Sequence, residues 1–180
     1  MPRLIDGEGR TNEIVRGICR LILREGLEGI TLRKIAREVG ISAGTINHHY
    51  ESRDRLMIVA VHTFMREFVT SSEQRLRVEG VRALLPSTSS DLGATRVWLA
   101  MAELGRSHPI IGRDVSDARA RERWALSVSR TPALGVRDAH ASYAAVDGLR
   151  VAVCATHDPI PLELARELLE GAIDRTRPAA

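Results

Sequence analysis

The residues in this chain best suited to a chemical task are Arg33, Ser42, Ala43, Gly44, Thr45, Asn47 and His48, all within residues 31–50, TLRKIAREVGISAGTINHHY. Arginine can pair bidentately with O6 and N7 of guanine, and asparagine with N6 and N7 of adenine. Small residues at 43 and 44 let a backbone approach a groove floor closely. Around them Lys34, Arg37, Arg53 and Arg55 are candidate phosphate contacts. The task this set fits is reading double-stranded DNA rather than making or breaking bonds. No nucleophile elbow, zinc-protease, phosphate-loop or dinucleotide motif occurs in the sequence. His48 and His49 are adjacent and so point about 100° apart on a helix. No carboxylate or cysteine four residues on from either completes a metal site. Cys19 and Cys154 are far apart and have no metal or redox spacing. No catalytic residue, metal or cofactor is expected, and the chain is not read as an enzyme.

The elements that must carry these residues are helices. Ile14, Ile18, Leu21 and Ile22 recur at i, i+4, i+7 and i+8, one face of a helix over residues 11–25 that stops at Gly26. Thr31 caps a short helix burying Leu32, Ile35, Ala36 and Val39, and Gly40 ends it. Ser42 caps a third helix, 43–49, and Ser52 precedes a long fourth with the stripe Leu56, Ala60, Phe64 and Phe68. Helices two and three are joined by too tight a turn to lie side by side, so they cross steeply as a helix-turn-helix. Further helices are expected over 91–107, 109–130, 137–156 and 162–175. The breaks between them fall at a polar linker over 86–93, at His108-Pro109, at 131–135 and at the HDPIP turn. No alternating strand pattern appears, so the class is all-α.

Composition limits the remaining options. In 180 residues, 44% hydrophobic and 27% charged content suits a globular chain with a core. The longest apolar runs, 56–61 and 97–102, are far short of the about 20 residues a membrane span needs. Residues 1–9 include Asp6 and Glu8 and lack the apolar centre of a secretory signal, so a cytoplasmic location without membrane contact is expected. The net charge is only +3, spread over both parts of the chain, so DNA binding must rest on the motif and not on a broad basic face.

Two features lie beyond the helix-turn-helix. Ala141, Ala145, Gly148, Ala152 and Ala155 step by four and three, and so do Leu162, Ala165, Leu169 and Ala172. Seams of that period suit near-antiparallel helix packing. Paired across a two-fold axis the two helices make a four-helix bundle, an isologous homodimer contact; the plain alternative is packing inside one subunit. Phe64, Phe68, Trp98, Met101, Trp124 and Tyr143 concentrate the large apolar groups outside the helix-turn-helix, a composition that suits a ligand cavity as well as a core. Arg96, Glu103, His108 and Asp147 are the polar groups placed to edge such a cavity.

The run from the first helix through GISAGTINHHYESRDRL resembles the DNA-binding domain of TetR-family bacterial transcriptional regulators. The pattern is met at Thr31, Arg33, Ile35, Ala36, Gly40, Ile41, Ser42, Gly44, Thr45, Ile46, Tyr50, Ser52, Arg53 and Leu56. Residues 97–103 and 144–151 are similar to the C-terminal domain of the BetI-like branch. The resemblance implies a DNA-binding domain over 8–68 and a helical effector-binding and dimerisation domain over 69–180. It assigns Thr31 and Arg53 to phosphates, Arg33, Ala43, Gly44, Thr45 and Asn47 to the groove, and His48 and His49 to backbone or bases. It also implies a pocket whose occupant shifts the DNA-binding heads. Asn47 departs from the tyrosine common there, and Glu51 from a basic or neutral residue. The expected function is a homodimeric, ligand-responsive repressor on a pseudo-palindromic operator, its effector mainly hydrophobic with one or two polar handles. Two other readings stay open: a regulator controlled by a protein partner, and a small-molecule carrier or enzyme.

Overall fold

Several helix starts in this chain are set by side chains that supply the missing backbone acceptors. Thr31 Oγ1 accepts from the Lys34 amide at 3.2 Å, Ser42 Oγ from Thr45 at 3.0 Å and Ser52 Oγ from Arg55 at 3.1 Å. In the computed structural model, which describes residues 7–129 and 133–175, these caps open three of eight helices. The helices are α1 (Gly7–Glu25), α2 (Leu32–Glu38), α3 (Ala43–Tyr50), α4 (Arg53–Glu79), α5 (Ser89–Ser107), α6 (Pro109–Val128), α7 (Val136–Val153) and α8 (Leu162–Asp174). The fold is all-α with an N-terminal helix-turn-helix and a C-terminal helical bundle, as the periodicity requires. No strand occurs among the described residues. The break expected at 131–135 lies partly outside them.

One connection differs from its sequence reading. The stretch 86–93 reads as a polar linker, yet α5 already begins at Ser89. Thr88 caps it while the Asp91 carboxylate reaches back to the Thr88 amide at 3.1 Å, a reciprocal capping box that draws the start of the helix forward. The residues just before it form a 3-10 turn, Gly80–Leu84, and Val81, Ala83, Leu84 and Leu85 are buried. The chain over 80–86 is thus an apolar strap packed into the core, and only 87–90 of the expected linker are exposed.

α2 ends in a Schellman motif: the Ile41 amide reaches Ala36 O at 3.0 Å and the Gly40 amide reaches Arg37 O at 3.4 Å, with Gly40 at φ +70°. That turn sets the crossing of α2 and α3. α1 braces both. Its Gly17 leaves no room for a side chain, since an added Cβ would overlap Val39 Cγ1. Gly17→Ala is therefore expected to overpack the head by about 1–3 kcal/mol, and thermal unfolding reads it directly. An unchanged midpoint would show that Val39 yields freely.

Two apolar clusters fill the molecule. The first joins α1, α2 and α3 to α4 and continues into α5 and α6 through Val97, Trp98, Met101, Ile111, Val115 and Ala118. The second holds the 3-10 strap, the end of α6, α7 and α8. α4 runs from the helix-turn-helix into the body, so the head is packed onto the body along a continuous core. The corner between α5 and α6 is tight because two glycines face each other. A Cβ on Gly112 would lie 2.7 Å from the Gly105 carbonyl oxygen.

Candidate functional site

α3 stands on the head with one side buried. Ile46 is inaccessible, and the half-buried Tyr50 hydroxyl lies 3.1 Å from Thr11 Oγ1 of α1. The opposite side is open: Ser42, Gly44, Asn47 and His48 are exposed, and Ala43 and Thr45 are partly so. Thr31 and Arg33 add exposed groups from the start of α2. Among the described residues Arg33 and Arg37 have no acidic partner, so their charge is available to a polyanion. Arg33, Ser42, Ala43, Gly44, Thr45, Asn47 and His48 are thus all open or partly open to solvent, and α3 has no acidic residue of its own.

Three of the residues expected at the DNA also have neighbours within the subunit. Lys34 Nζ binds Glu25 Oε2 at 2.6 Å. Arg53 Nε donates to Ile30 O at 2.9 Å and Nη2 to Leu27 O at 3.5 Å, tying the first turn of α4 to the loop between α1 and α2. His49 is exposed but turns to the flank, where with Arg10, Thr11, Ile14 and Ile41 it edges a hollow of about 350 Å³ against α1. Glu51, the acidic departure, is paired with Arg55 at 3.2 Å.

The body holds a second site. A cleft of about 210 Å³ lies between α4, the 3-10 strap and the start of α5, lined by Phe64, Phe68, Ala83, Leu84, Leu85 and Pro86, with Arg150 of α7 also in its wall. Its rim residues Glu67 and Ser71 are exposed, and Arg75 is paired with Asp91 and Glu79. Of the residues expected to line a pocket, Phe64 and Phe68 do. Trp98 and Met101 are fully buried in the first cluster. Tyr143 donates to Glu122 Oε2 at 2.6 Å, and Asp147 pairs with Arg119 at 3.1 Å. Trp124 is 66% exposed on the far side of α6, because the inward stripe of that helix is Ile111, Val115, Ala118, Glu122 and Ala125.

Sequence reasoning missed the group beneath the cleft. Arg150 and Glu122 form a fully buried fork, Nη1 to Oε2 and Nη2 to Oε1, each at 2.8 Å. Burial alone would raise the Glu122 pKa. The Arg150 charge, with hydrogen bonds from Arg150, Tyr143 and Ser72, outweighs it and holds the carboxyl below its usual range. Burial and the neighbouring carboxylate push the Tyr143 phenol up. The signal was present in the spacing: Glu122 and Arg150 each sit at a core position of an otherwise apolar stripe. Burial pushes the Cys19 thiol up to about 12, so it is not poised as a nucleophile.

The α7 and α8 seams divide. Ala165 and Leu169 are completely buried against their own subunit, with Ala145 and Leu162 half-buried beside them. Ala152, Ala155 and Ala172 are also only partly accessible. The residues left open are Ala141, Ala144, Gly148 and Val151 on α7 and Leu164 and Leu168 on α8. A Cβ added at Gly148 meets nothing within 4 Å. The helices carry two adjacent apolar stripes, and the inner one is used up within the chain.

Comparison with known proteins agrees with this geometry. Residues 14–60 match the family model for bacterial regulatory proteins of the tetR family. The transcriptional regulator PksA of Bacillus subtilis (strain 168) is 38% identical over 86 residues, 48% of this chain and 40% of PksA. The regulator BetI of Burkholderia mallei (strain NCTC 10229) is 25% identical over 189 aligned residues, 97% of each chain. A transcriptional regulator of Saccharomonospora viridis, solved in complex with choline, has the same fold at 20% identity. Its TM-score is 0.79, with 93% of this chain and 96% of that chain covered.

Proposed function

We propose that the chain, whose residues 14–60 match the model for bacterial regulatory proteins of the tetR family, is a helix-turn-helix, DNA-binding transcriptional regulator of that family and acts as a homodimeric repressor which a small molecule in the body cleft releases from a pseudo-palindromic operator. One observation carries this reading: α4 bears Ser52–Arg55 beside the recognition helix at one end and Phe64, Phe68 and Arg75 in the cleft wall further along. A ligand that favours one packing of α4 against the strap and α5 thereby favours one head position. It shifts the equilibrium only by its differential affinity for the two states. Two heads can occupy successive major grooves only when their recognition helices are about 34–36 Å apart.

The apolar lining supports a mainly hydrophobic effector. The full-length likeness to BetI supports a place in that branch, and the choline held by the Saccharomonospora regulator makes a small cation against Phe64 and Phe68 the second effector class to test. Open α7 and α8 faces support the dimer.

DNA selected from a random duplex pool by the purified protein is expected to show two half-sites centred one helical turn, or a multiple of it, apart, with binding that falls steeply as salt rises. No enrichment, or binding indifferent to salt, would refute the reading. Within the selected site, Arg33→Ala or Asn47→Ala is expected to cost about 1–3 kcal/mol and relax preference at one base pair per half-site. Arg53→Ala should instead weaken all sequences alike, because it frees the loop that holds α2. A change of base preference on losing Arg53, with none on losing Arg33, would reverse these roles.

A further inference from the structure

We infer that the deep end of the body cleft recognises an uncharged hydrogen-bond acceptor, a carbonyl of a ketone, ester, amide or lactone, and that Arg150 is the residue that specifies it. This rests on the reading of the cleft as the effector site and names the chemistry of the handle.

The argument is a count of protons. A guanidinium has five N–H donors in one plane. Arg150 is fully buried and spends three of them: Nε–H on Leu84 O at 3.0 Å, one Nη2 proton on Glu122 Oε1 at 2.8 Å, and one Nη1 proton shared between Glu122 Oε2 at 2.8 Å and the Tyr143 hydroxyl at 3.4 Å, two acceptors that are themselves only 2.6 Å apart. Among the described residues the second proton of Nη1 and the second proton of Nη2 have no acceptor, and the Nη2 proton is the one beside the cleft. Because the Glu122 fork takes the Nη1 and Nη2 end of the plane, the remaining Nη2 proton lies on the other edge, parallel to the Nε–H. That edge is the one directed at Leu84, and Leu84 and Arg150 both line the cleft. Leaving a buried donor unmade is costly, and a bond from an ionised donor is the stronger kind. An acceptor beside the Leu84 carbonyl would satisfy the Nη2 proton.

Charge decides which acceptor. Glu122 already neutralises Arg150, and Asp91 and Glu79 answer Arg75, so a carboxylate would lose its hydration without gaining an unpaired cation. A quaternary ammonium offers no acceptor at all and would leave the proton unpaired. The guanidinium carbon lies 5.2 Å from the centroid of Phe68 and 5.2 Å from that of Trp98, so its plane is fixed by two rings as well as by Glu122. The rest of the ligand meets Phe64, Phe68, Leu85 and Pro86. With about 210 Å³, the cleft holds about seven water-sized groups, which suits a single-ring molecule.

Four ring compounds of similar size separate the alternatives: methyl benzoate, tert-butylbenzene, trimethylphenylammonium and benzoate. Trp98 reports binding in a Trp124→Phe protein, which retains a single tryptophan. Methyl benzoate is expected to bind at least tenfold tighter than each of the other three. The Arg150→Met, Glu122→Leu double variant removes the pair together and so leaves no lone buried charge. In it the advantage over tert-butylbenzene should vanish. If that variant does not fold, the order within the parent protein decides alone. A preference for the ammonium or for benzoate, or equal affinity for all four, overturns the inference and leaves the cleft standing as an effector site. Binding of none of them at millimolar concentration, by emission and by ligand NMR, overturns both.

Discussion

Glu122→Ala is expected to destabilise the protein by about 3–5 kcal/mol, because it leaves the Arg150 guanidinium buried without its counter-charge. Few single substitutions in a chain of this size should cost more. The loss is not confined to one ion pair. The same carboxylate accepts the Tyr143 hydroxyl at 2.6 Å, and through Arg150 it holds the strap at the Leu84 carbonyl, so three elements are released together. The pair as a whole is a weaker asset than its halves suggest, since taking two charges out of water offsets much of their attraction. The Arg150→Met, Glu122→Leu double variant should therefore stand within about 1–2 kcal/mol of the parent. The pH dependence has a definite sign. Glu122 has a folded pKa below its unfolded value of about 4.3. Its stabilisation is thus complete above that value and is lost as the pH falls through the folded pKa. Urea unfolding at pH 7 and at pH 3 checks both statements. A Glu122→Ala loss under about 1 kcal/mol at pH 7 would show the pair to be solvated.

The second large effect belongs to Gly148→Leu. Nothing in the subunit lies within 4 Å of a Cβ at that position, so the new side chain has no clash at its base and the subunit should fold normally. Whatever close approach it prevents must be with another molecule. In a two-fold bundle of α7 and α8, Gly148 stands midway along the open face formed by Ala141, Ala144 and Val151 with Leu164 and Leu168. Overpacking there costs about 1–3 kcal/mol at each site, and two-fold symmetry places two such sites in one interface. Operator affinity should then fall by about 10²–10⁴-fold, as two linked heads become two independent ones. Sedimentation of both proteins at micromolar concentration, with unfolding midpoints alongside, provides the test. A parent that sediments as a monomer, or a variant that remains dimeric and bound to DNA, would count against this face as the interface.

Both predictions depend on residues that differ in how legible they were. Gly148 was visible as a member of a small-residue seam. What could not be read was which stripe of α8 the chain would keep for itself. Leu162, Ala165, Leu169 and Ala172 have the spacing of an interface, yet Ala165 and Leu169 close the second core against Val146 and Val153, and Leu164 and Leu168 face outward instead. Periodicity reports that a helix has apolar faces and leaves open whose surface will cover them. Trp124 gives the same lesson in reverse. Its type suggests burial, but the inward stripe of α6 passes through Glu122, and Trp124 lies two residues along, on the outer side.

The sequence by itself determined the helices, their caps, the helix-turn-helix and the surface it presents. Each of these is decided within a few residues: Thr31, Ser42 and Ser52 bond amides three positions on, Gly40 takes the one backbone geometry that ends α2, and four-residue steps divide a buried from an exposed face. Only the tertiary structure decided what happens between helices. Arg53, for which the motif implied a phosphate, also donates from Nε and Nη2 to carbonyls 23 and 26 residues away. Arg150 finds Glu122 across 28 residues and Leu84 across 66, and it is that meeting which places a neutralised guanidinium in the wall of the cleft. Such pairings follow from how the helices pack, since a long side chain takes whichever acceptor packing brings within about 3 Å.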